Sequence, residues 1–257
     1  MLVKVAVFGA AGWLGRAILT HLEDHGHQVR GIDYGEAAWK TWEDVDGKYD
    51  GDIVHADIAD YDQVITALEG QEAIVHAAVF FPPPDPADAR IDDKPFLINL
   101  KGLWNVLEGA RLAAMQRVVH IGSCQTVHPQ GEFFTADVRR PDGSLYAVSK
   151  RLQEEMCRQY WDAFQLPLVV LRPDYIVDTR IGLGRQRETL GVDGHEARNG
   201  WVCRHDLAEA CCLAIDSDIG FDVFHIVGTP EAAQTCNVER SRSVLGLKYE
   251  GDLEKYR

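Results

Sequence analysis

An apolar run over residues 2–8 breaks into Gly9-Ala-Ala-Gly12-Trp-Leu-Gly15, and a helical pattern over 13–25 follows at once. This order constrains the fold more than any other feature of the chain. A strand has to end, the backbone has to turn tightly on residues without side chains, and a helix has to begin with its free N–H groups aimed at whatever fills the turn. Such a turn suits a dinucleotide pyrophosphate, with Gly9, Gly12, Trp13, Leu14 and Gly15 as candidate contacts. Asp33 closes the next apolar run 18 residues after Gly15, where a carboxylate can accept hydrogen bonds from the adenosine ribose hydroxyls. The alternative is that the glycines serve only close helix–strand packing and that Asp33 caps a turn. Asp57 and Ile58, after the third run, are placed to meet adenine, and a plain capping role for Asp57 is an equal alternative.

Short aliphatic runs then alternate with amphipathic stretches. The pattern predicts strands over 2–8, 28–32, 52–55, 73–77, 117–122 and 167–171, and helices over 13–25, 60–69, 92–114 and 144–162. Lys94-Pro95 falls early in the third helix, where a proline is tolerated. The fold class is therefore α/β, a doubly wound parallel sheet of the Rossmann kind with six or seven strands. Beyond Leu171 the alternation gives way to irregular sequence over 178–200, a helix over 204–216, a strand over 223–227 and a last helix over 237–246. The expected organisation is a dinucleotide-binding domain over 1–171 and a small C-terminal substrate lobe over 172–257, interleaved with the last elements of the first. The run Phe80-Phe81-Pro82-Pro83-Pro84-Asp85-Pro86 reads as a stiff loop at a strand's carboxyl end, where ligands of such sheets sit.

Charge narrows the ligand class. With 40 acidic against 26 basic residues the net charge is −14, which disfavours nucleic acid and anionic membranes as partners. A small molecule is expected instead. The six cysteines show no Cys-x-x-Cys pairing, so reduced thiols in a cytoplasm are the expected state. Cys203 and His205 lack partners at a spacing typical of zinc sites, and no metal is expected. Residues 2–8 are far too short to span a bilayer.

The second informative pattern is Tyr146-Ala-Val-Ser-Lys150. On a helix these two side chains are i and i+4 and share one face. A free phenol has a pKa near 10 and is a poor base at pH 7, but an adjacent ammonium and an oxidised nicotinamide both favour the phenolate. Tyr146 could then take a hydroxyl proton while hydride leaves for NAD, or protonate an alkoxide in the reverse direction. The competing reading is a core tyrosine and a surface lysine. Position favours the first: the pair begins a helix shortly after the strand 117–122 and its polar sequel Ser123-Cys124-Gln125-Thr126.

Taken together, these residues resemble the extended short-chain dehydrogenase/reductases, the NAD-dependent epimerase/dehydratase group. The resemblance runs through the glycine motif, His76-Ala77-Ala78, Asn99-Leu-Lys-Gly102-Leu-Trp-Asn105, Tyr146 with Lys150, Leu171-Arg172-Pro173 and Val202-Cys-Arg-His-Asp206-Leu-Ala. It implies an enzyme that oxidises a sugar hydroxyl and then epimerises, dehydrates or releases the product. It further implies cofactor contacts at His76, Ala77, Ala78, Asn99 and Pro173, and a homodimer paired through the helices 92–114 and 144–162. Arg172 can equally be an ordinary strand-end charge, and Asn99 with Gly102 can simply shape the long helix.

Two departures from the family stand out. Where the family has a Ser or Thr that holds the reacting oxygen, this chain aligns Cys124, with Ser123 one residue early and Thr126 as a further hydroxyl. A thiol is the weaker donor, so Ser123 is expected to do this work. The portion after Leu171 is also short, about 85 residues, which resembles the compact uronate dehydrogenase type and implies a substrate smaller than a nucleotide sugar. Within that portion Arg180, Arg185 and Arg187 form a basic cluster in an acidic chain. Arg180 or Arg185 is the expected partner of an anionic substrate group, against the alternative of a solvated loop paired with Glu188, Asp178 or Asp193. The leading expectation is an NAD-dependent oxidoreductase or epimerase of a sugar or sugar acid. A nucleotide-sugar epimerase/dehydratase, a carbonyl reductase and a non-catalytic dinucleotide-sensing module are the rivals.

Overall fold

The computed structural model describes residues 2–81, 93–127, 142–192, 194–234 and 236–257. The proline run from Pro82 onward, Asp193 and the start of the predicted helix at 92 lie outside the described residues.

The strands are β1 (Lys4–Phe8), β2 (Gln28–Asp33), β3 (Asp52–His55), β4 (Ala73–His76), β5 (Arg117–Ile121), β6 (Leu168–Arg172), β7 (Tyr175–Asp178), β8 (Leu183–Gly184), β9 (Trp201–Cys203) and β10 (Phe221–His225). Seven of them form one sheet in the order β10-β6-β5-β4-β1-β2-β3, and every pairing in it is parallel. The order reverses between β1 and β4, which is the crevice where sheets of this kind bind ligands.

Alternation along each strand builds two cores. Val5 and Val7 of β1 face one side with Val75, Val119 and Phe224, under the helices α1 (Trp13–Asp24) and α7 (Arg204–Asp216). Ala6 and Phe8 face the other with Ile74, Val118 and Val170, under α4 (Tyr61–Ala67), α5 (residues 94–112) and α6 (Leu145–Phe164). Both faces are dry, so the strands read as continuous apolar runs. Helix α1 presents Leu14, Ala17, Ile18 and Leu22 at helical spacing to the first core. Two short helices that the periodicity does not predict, α2 (Glu36–Lys40) and α3 (Glu43–Asp46), follow β2, and α8 (Glu239–Ser243) is shorter than the predicted 237–246.

Helix α5 is continuous through Lys94–Phe96, a π-helical turn Leu97–Gly102 and Leu103–Leu112. A uniform helix was the expectation over 92–114. The wide turn admits a close approach at its end: a Cβ on Gly102 would lie 2.8 Å from Ile58 Cγ2. Helix α6 begins where Ser144 accepts a hydrogen bond from Ala147 N–H (3.2 Å), the ordinary serine cap.

The chain after β6 contributes elements to both sheets. Strands β8-β7-β9 make a small second sheet, and Val177, Leu190, Trp201 and Leu253 pack together beside it. Residues of α7 and β10 return to the main body, α7 against α1 and β10 against β6. The strand predicted over 223–227 thus runs over Phe221–His225 as an edge of the large sheet.

Candidate active site

The glycine turn sits at the β1/β4 crevice. Gly9 has φ +79°, a conformation that L side chains rarely adopt, and a Cβ there would lie 2.7 Å from Ala78 N and 2.8 Å from the Ala77 carbonyl carbon. Gly15 lets α1 press on the turn, since its Cβ would fall 2.1 Å from Gly9 O. Gly12 is the N-cap of α1 and offers no side-chain acceptor to the first amides of the helix. Its Cβ would meet only Gly9 O, at 3.3 Å, so the space before those amides is open. Uncapped amides at a helix start are a ready anion site.

Asp33 spans the crevice. Ala11 N–H donates to its Oδ2 (3.0 Å) and Tyr34 N–H to its Oδ1 (2.9 Å). Each oxygen keeps a lone pair for a ribose hydroxyl. Burial pushes its pKa up, and the two amides oppose that rise. Asp57 is exposed and caps its own turn by accepting from Ala59 N–H (2.9 Å), while Ile58 is buried against Gly102. For Asp57 the capping role is the one the geometry displays. These residues fit a dinucleotide: an open, uncapped helix start, a backbone with no room for side chains, and a carboxylate at the end of β2.

Two expected cofactor contacts turn inward instead. Asn99, fully buried in the π turn, clamps the loop after β4 by accepting from Phe80 N–H (2.7 Å) and donating to Phe80 O (2.9 Å). Its amide shapes that loop. The Trp13 indole donates to Ile176 O (3.2 Å) and carries the Arg204 guanidinium 4.0 Å from a ring centroid. Its side chain therefore joins the second sheet to the glycine turn and does not enter the crevice. Leu14 is core, so only its backbone can serve a ligand.

Tyr146 and Lys150 share the first turns of α6. Lys150 is buried on α6 and donates to Ile121 O (2.8 Å) at the end of β5. Its Nζ lies 5.9 Å from the Tyr146 ring centroid. The Ser123 hydroxyl lies near enough to the Tyr146 phenol to lower its pKa, and it accepts from Gln125 N–H (3.1 Å). Burial pushes Tyr146 up to about 12, against the pull of the Ser123 hydroxyl and the Arg185 charge, and pushes Lys150 down to about 7. The site as it stands holds the phenol protonated.

Cys124 and Thr126 face elsewhere. The Cys124 thiol donates to Arg172 O (3.3 Å) and packs with Val227, Ala232, Cys236 and Val238. The buried Thr126 hydroxyl donates to Ser123 O (3.0 Å) and closes the turn that presents Ser123. Thr126, expected as a substrate contact, is by this geometry a turn residue. Pro173 is buried and its carbonyl accepts from Cys124 N–H (2.8 Å), while Arg172 pairs with Glu154 (Nε–Oε2 2.9 Å) as a strand-end charge.

The three arginines of 180–187 diverge. Gly182 at φ +67° and Arg187 at φ +66° turn the backbone between them. Arg187 leaves the site to pair with Asp44 (2.7 Å) over the Trp42 ring. Arg180 is exposed and lines a groove with His21, His205, Glu209 and Lys248. Arg185 alone approaches the phenol. Its guanidinium lies 4.4 Å from the Phe81 ring centroid, and Phe81 stacks on Tyr146 at 5.3 Å and 17°.

Sequence reasoning missed Phe81 and Gln153 as parts of this site. Gln153 is buried and donates to Asn99 O (2.6 Å). Its i+3 spacing from Lys150 on the same helical face was the available signal. It also missed a buried imidazole pair beneath the lysine, His76 Nδ1 to His120 Nδ1 at 3.1 Å on adjacent strands. Burial pushes His76 down to about 3 and His120 well below its usual range, with Lys150 adding to both. Both rings are neutral, so one Nδ1 carries the hydrogen and the other accepts it.

The sequence profile of the NAD dependent epimerase/dehydratase family matches residues 5–226. The chain is similar to uronate dehydrogenase of Agrobacterium fabrum, with 32% identity over 66% of this chain and 60% of that protein. It is similar as well to L-arabinose 1-dehydrogenase (NAD(P)(+)) of Haloferax volcanii, with 29% identity over 85% of this chain and 84% of that protein. The matches span less than two thirds of the uronate dehydrogenases found. Among solved structures, UDP-glucose 4-epimerase from Brucella ovis in complex with NAD superposes with a TM-score of 0.78 at 19% identity, covering 99% of this chain and 96% of that one. That likeness shows the fold.

Proposed function

This chain belongs to the NAD-dependent epimerase/dehydratase family, and from that premise we propose that it is an NAD-dependent oxidoreductase acting on a secondary hydroxyl of a sugar or sugar acid. The observation that carries the reading is that the Lys150 ammonium, anchored on Ile121 O at the end of β5, lies 5.9 Å from the Tyr146 ring, with Ser123 following that strand. A non-catalytic sensor has no use for that arrangement.

NAD, when bound, supplies the hydride acceptor and, in its oxidised form, a positive charge that favours the phenolate. The chain's residues do the rest. Ser123 donates its hydroxyl hydrogen to the reacting oxygen and orients it. Tyr146 takes the proton from that oxygen, and Lys150, held by Ile121 O, stabilises the phenolate. In the reverse direction the phenol returns the proton. The decisive experiment follows nicotinamide reduction against a panel of sugars and uronic acids. Free NADH accumulating in proportion to product supports a dehydrogenase; turnover without it supports the epimerase alternative.

Cofactor choice rests on Asp33. Its carboxylate suits two free ribose hydroxyls and repels a 2′-phosphate, so calorimetry is expected to show tighter binding of NADH than of NADPH. Equal or tighter NADPH binding removes Asp33 from this role.

Substrate charge rests on Arg185. Its guanidinium has no ion pair among the described residues, it is stacked beside the phenol, and it is suited to grip a carboxylate bidentately. Arg185→Met is expected to raise KM for an acidic sugar far more than for its neutral analogue. Because the Arg185 charge lowers the Tyr146 pKa, its removal should also move the rising limb of the oxidation rate to higher pH. An equal KM effect on both sugars would leave this arginine as packing.

The homodimer belongs to the same proposal, supported by exposed Leu97, Trp104, Val148 and Leu152 on α5 and α6; light scattering checks it. No helix among the described residues is long and apolar enough to cross a membrane. All six cysteines are free thiols, which supports a reducing, cytoplasmic setting.

A further inference from the structure

The packing of α1 against α7 gathers donor atoms that the hydride chemistry does not use. His21 and His25 stand one turn apart on α1 and both reach a single oxygen of Glu209 on α7. His21 Nδ1 is 3.3 Å and His25 Nε2 3.0 Å from Glu209 Oε2. Cys212 follows Glu209 by one turn and is buried. One donor atom from each of His25, Glu209 and Cys212 lies within 4.8 Å of the others. His205, one turn before Glu209, places Nδ1 3.2 Å from His21 Nε2. The sequence conceals this set, because the two helices that supply it are more than 180 residues apart.

We propose that His25, Glu209 and Cys212, with His21 adjoining them through the shared Glu209 oxygen, form a binding site for a zinc-class divalent ion between α1 and α7. An imidazole, a carboxylate and a thiol are the mixed nitrogen, oxygen and sulfur donors that borderline ions take, whereas magnesium and calcium require oxygen. Geometry is close to sufficient. Ligand distances of about 2.0–2.3 Å put tetrahedral donors roughly 3.3–3.8 Å apart, so the observed spread closes by side-chain rotation of about 1 Å. His25 and Glu209 have that freedom, being 33% and 31% exposed at the side chain. A groove lined by His21, Arg180, His205, Lys248 and Glu250 reaches the Glu209 edge of the cluster, which provides an entry path.

Such an ion would be structural. The site lies on the α1/α7 side of the sheet, whereas Tyr146 and Lys150 stand on α6 across it. It would staple the helix that begins at the glycine turn to the helix that begins at Arg204.

The test uses the full chain stripped with a chelator and titrated with Zn²⁺ against a chromophoric competitor, with Mg²⁺ as control. One Zn²⁺ per chain is expected, with a melting temperature raised by roughly 5–10 °C at a hundredfold excess over Kd, and no response to Mg²⁺. Co²⁺ in place of Zn²⁺ should show a thiolate charge-transfer band. His25→Gln and Cys212→Ser should each weaken binding by at least about tenfold while melting like the stripped wild type without metal. Failure to bind one equivalent, unchanged affinity in both variants, or a cobalt complex without the thiolate band would overturn the site. The cluster would then be a hydrogen-bonded helix contact and nothing more.

Discussion

Tyr146→Phe is expected to lower turnover by about 10²–10⁴-fold while leaving NAD affinity nearly unchanged. The substitution removes one oxygen and keeps the ring that stacks on Phe81 at 5.3 Å, so the pocket keeps its shape. What goes is the group that exchanges a proton with the reacting oxygen. Lys150→Met should damage both turnover and stability of the site, because it leaves Ile121 O without its 2.8 Å donor and removes the charge beneath the phenol. Ser123→Ala should cost more rate than Cys124→Ala, since a hydroxyl is the better donor and the thiol is turned to Arg172 O. Steady-state kinetics and cofactor titration on the four variants check this. A phenylalanine variant that retains more than about a tenth of the wild-type rate would place the general base elsewhere, and a larger loss for Cys124→Ala would exchange the roles of Ser123 and Cys124.

What could be read from the chain in advance was what lies close in sequence. Gly9, Gly12, Gly15 and Asp33 belong to one strand–turn–helix–strand unit, and Tyr146 with Lys150 to one helical face, so spacing alone predicts their proximity. The sheet was legible for the same reason, each strand being a short apolar run between helical patterns. The substrate side was not. Arg180, Arg185 and Arg187 look alike as sequence, yet positive φ at Gly182 and Arg187 sends them in different directions, and only Arg185 reaches the phenol. Asn99 holds Phe80 through both its amide atoms, a contact the sequence conceals because what a buried amide bonds depends on a loop 19 residues away. Phe81 was hidden in a proline-rich run whose role is set by the helix it stacks on. The pairing of Arg204 with Asp178 and Asp46 joins three segments, none of which carries a local mark of it.

That last network should dominate stability. Arg204 is nearly fully buried and donates to Asp178 Oδ2 (2.7 Å), Asp46 Oδ2 (2.9 Å) and Trp13 O (3.2 Å). It thereby ties β7, α3 and the start of α1 together beside the glycine turn. Desolvation opposes the charge on Asp178, but hydrogen bonds from His205 and Arg204 and the arginine charge hold its carboxyl well below the usual range. A depressed folded-state pKa means stability that is present above the ordinary carboxylate pKa of about 4 and is lost as pH falls below it. Removing one partner of a buried pair leaves an uncompensated charge, and Arg204→Leu is expected to cost about 3–5 kcal/mol at pH 7. The loss should shrink toward acid, where Asp178 takes up its proton in the variant. Asp178→Asn keeps an oxygen for Arg180 N–H, which now donates to the carboxylate at 2.8 Å, and it leaves Arg204 paired with Asp46. The double variant should therefore be more stable than Arg204→Leu alone, the sign that the damage lies in a stranded carboxylate and not in lost packing. Denaturant unfolding of the two singles and the double, at pH 7 and near pH 4, measures the coupling. Simple additivity, or a loss that does not depend on pH, would mean that the arginine acts through its contact with the Trp13 ring and not through Asp178.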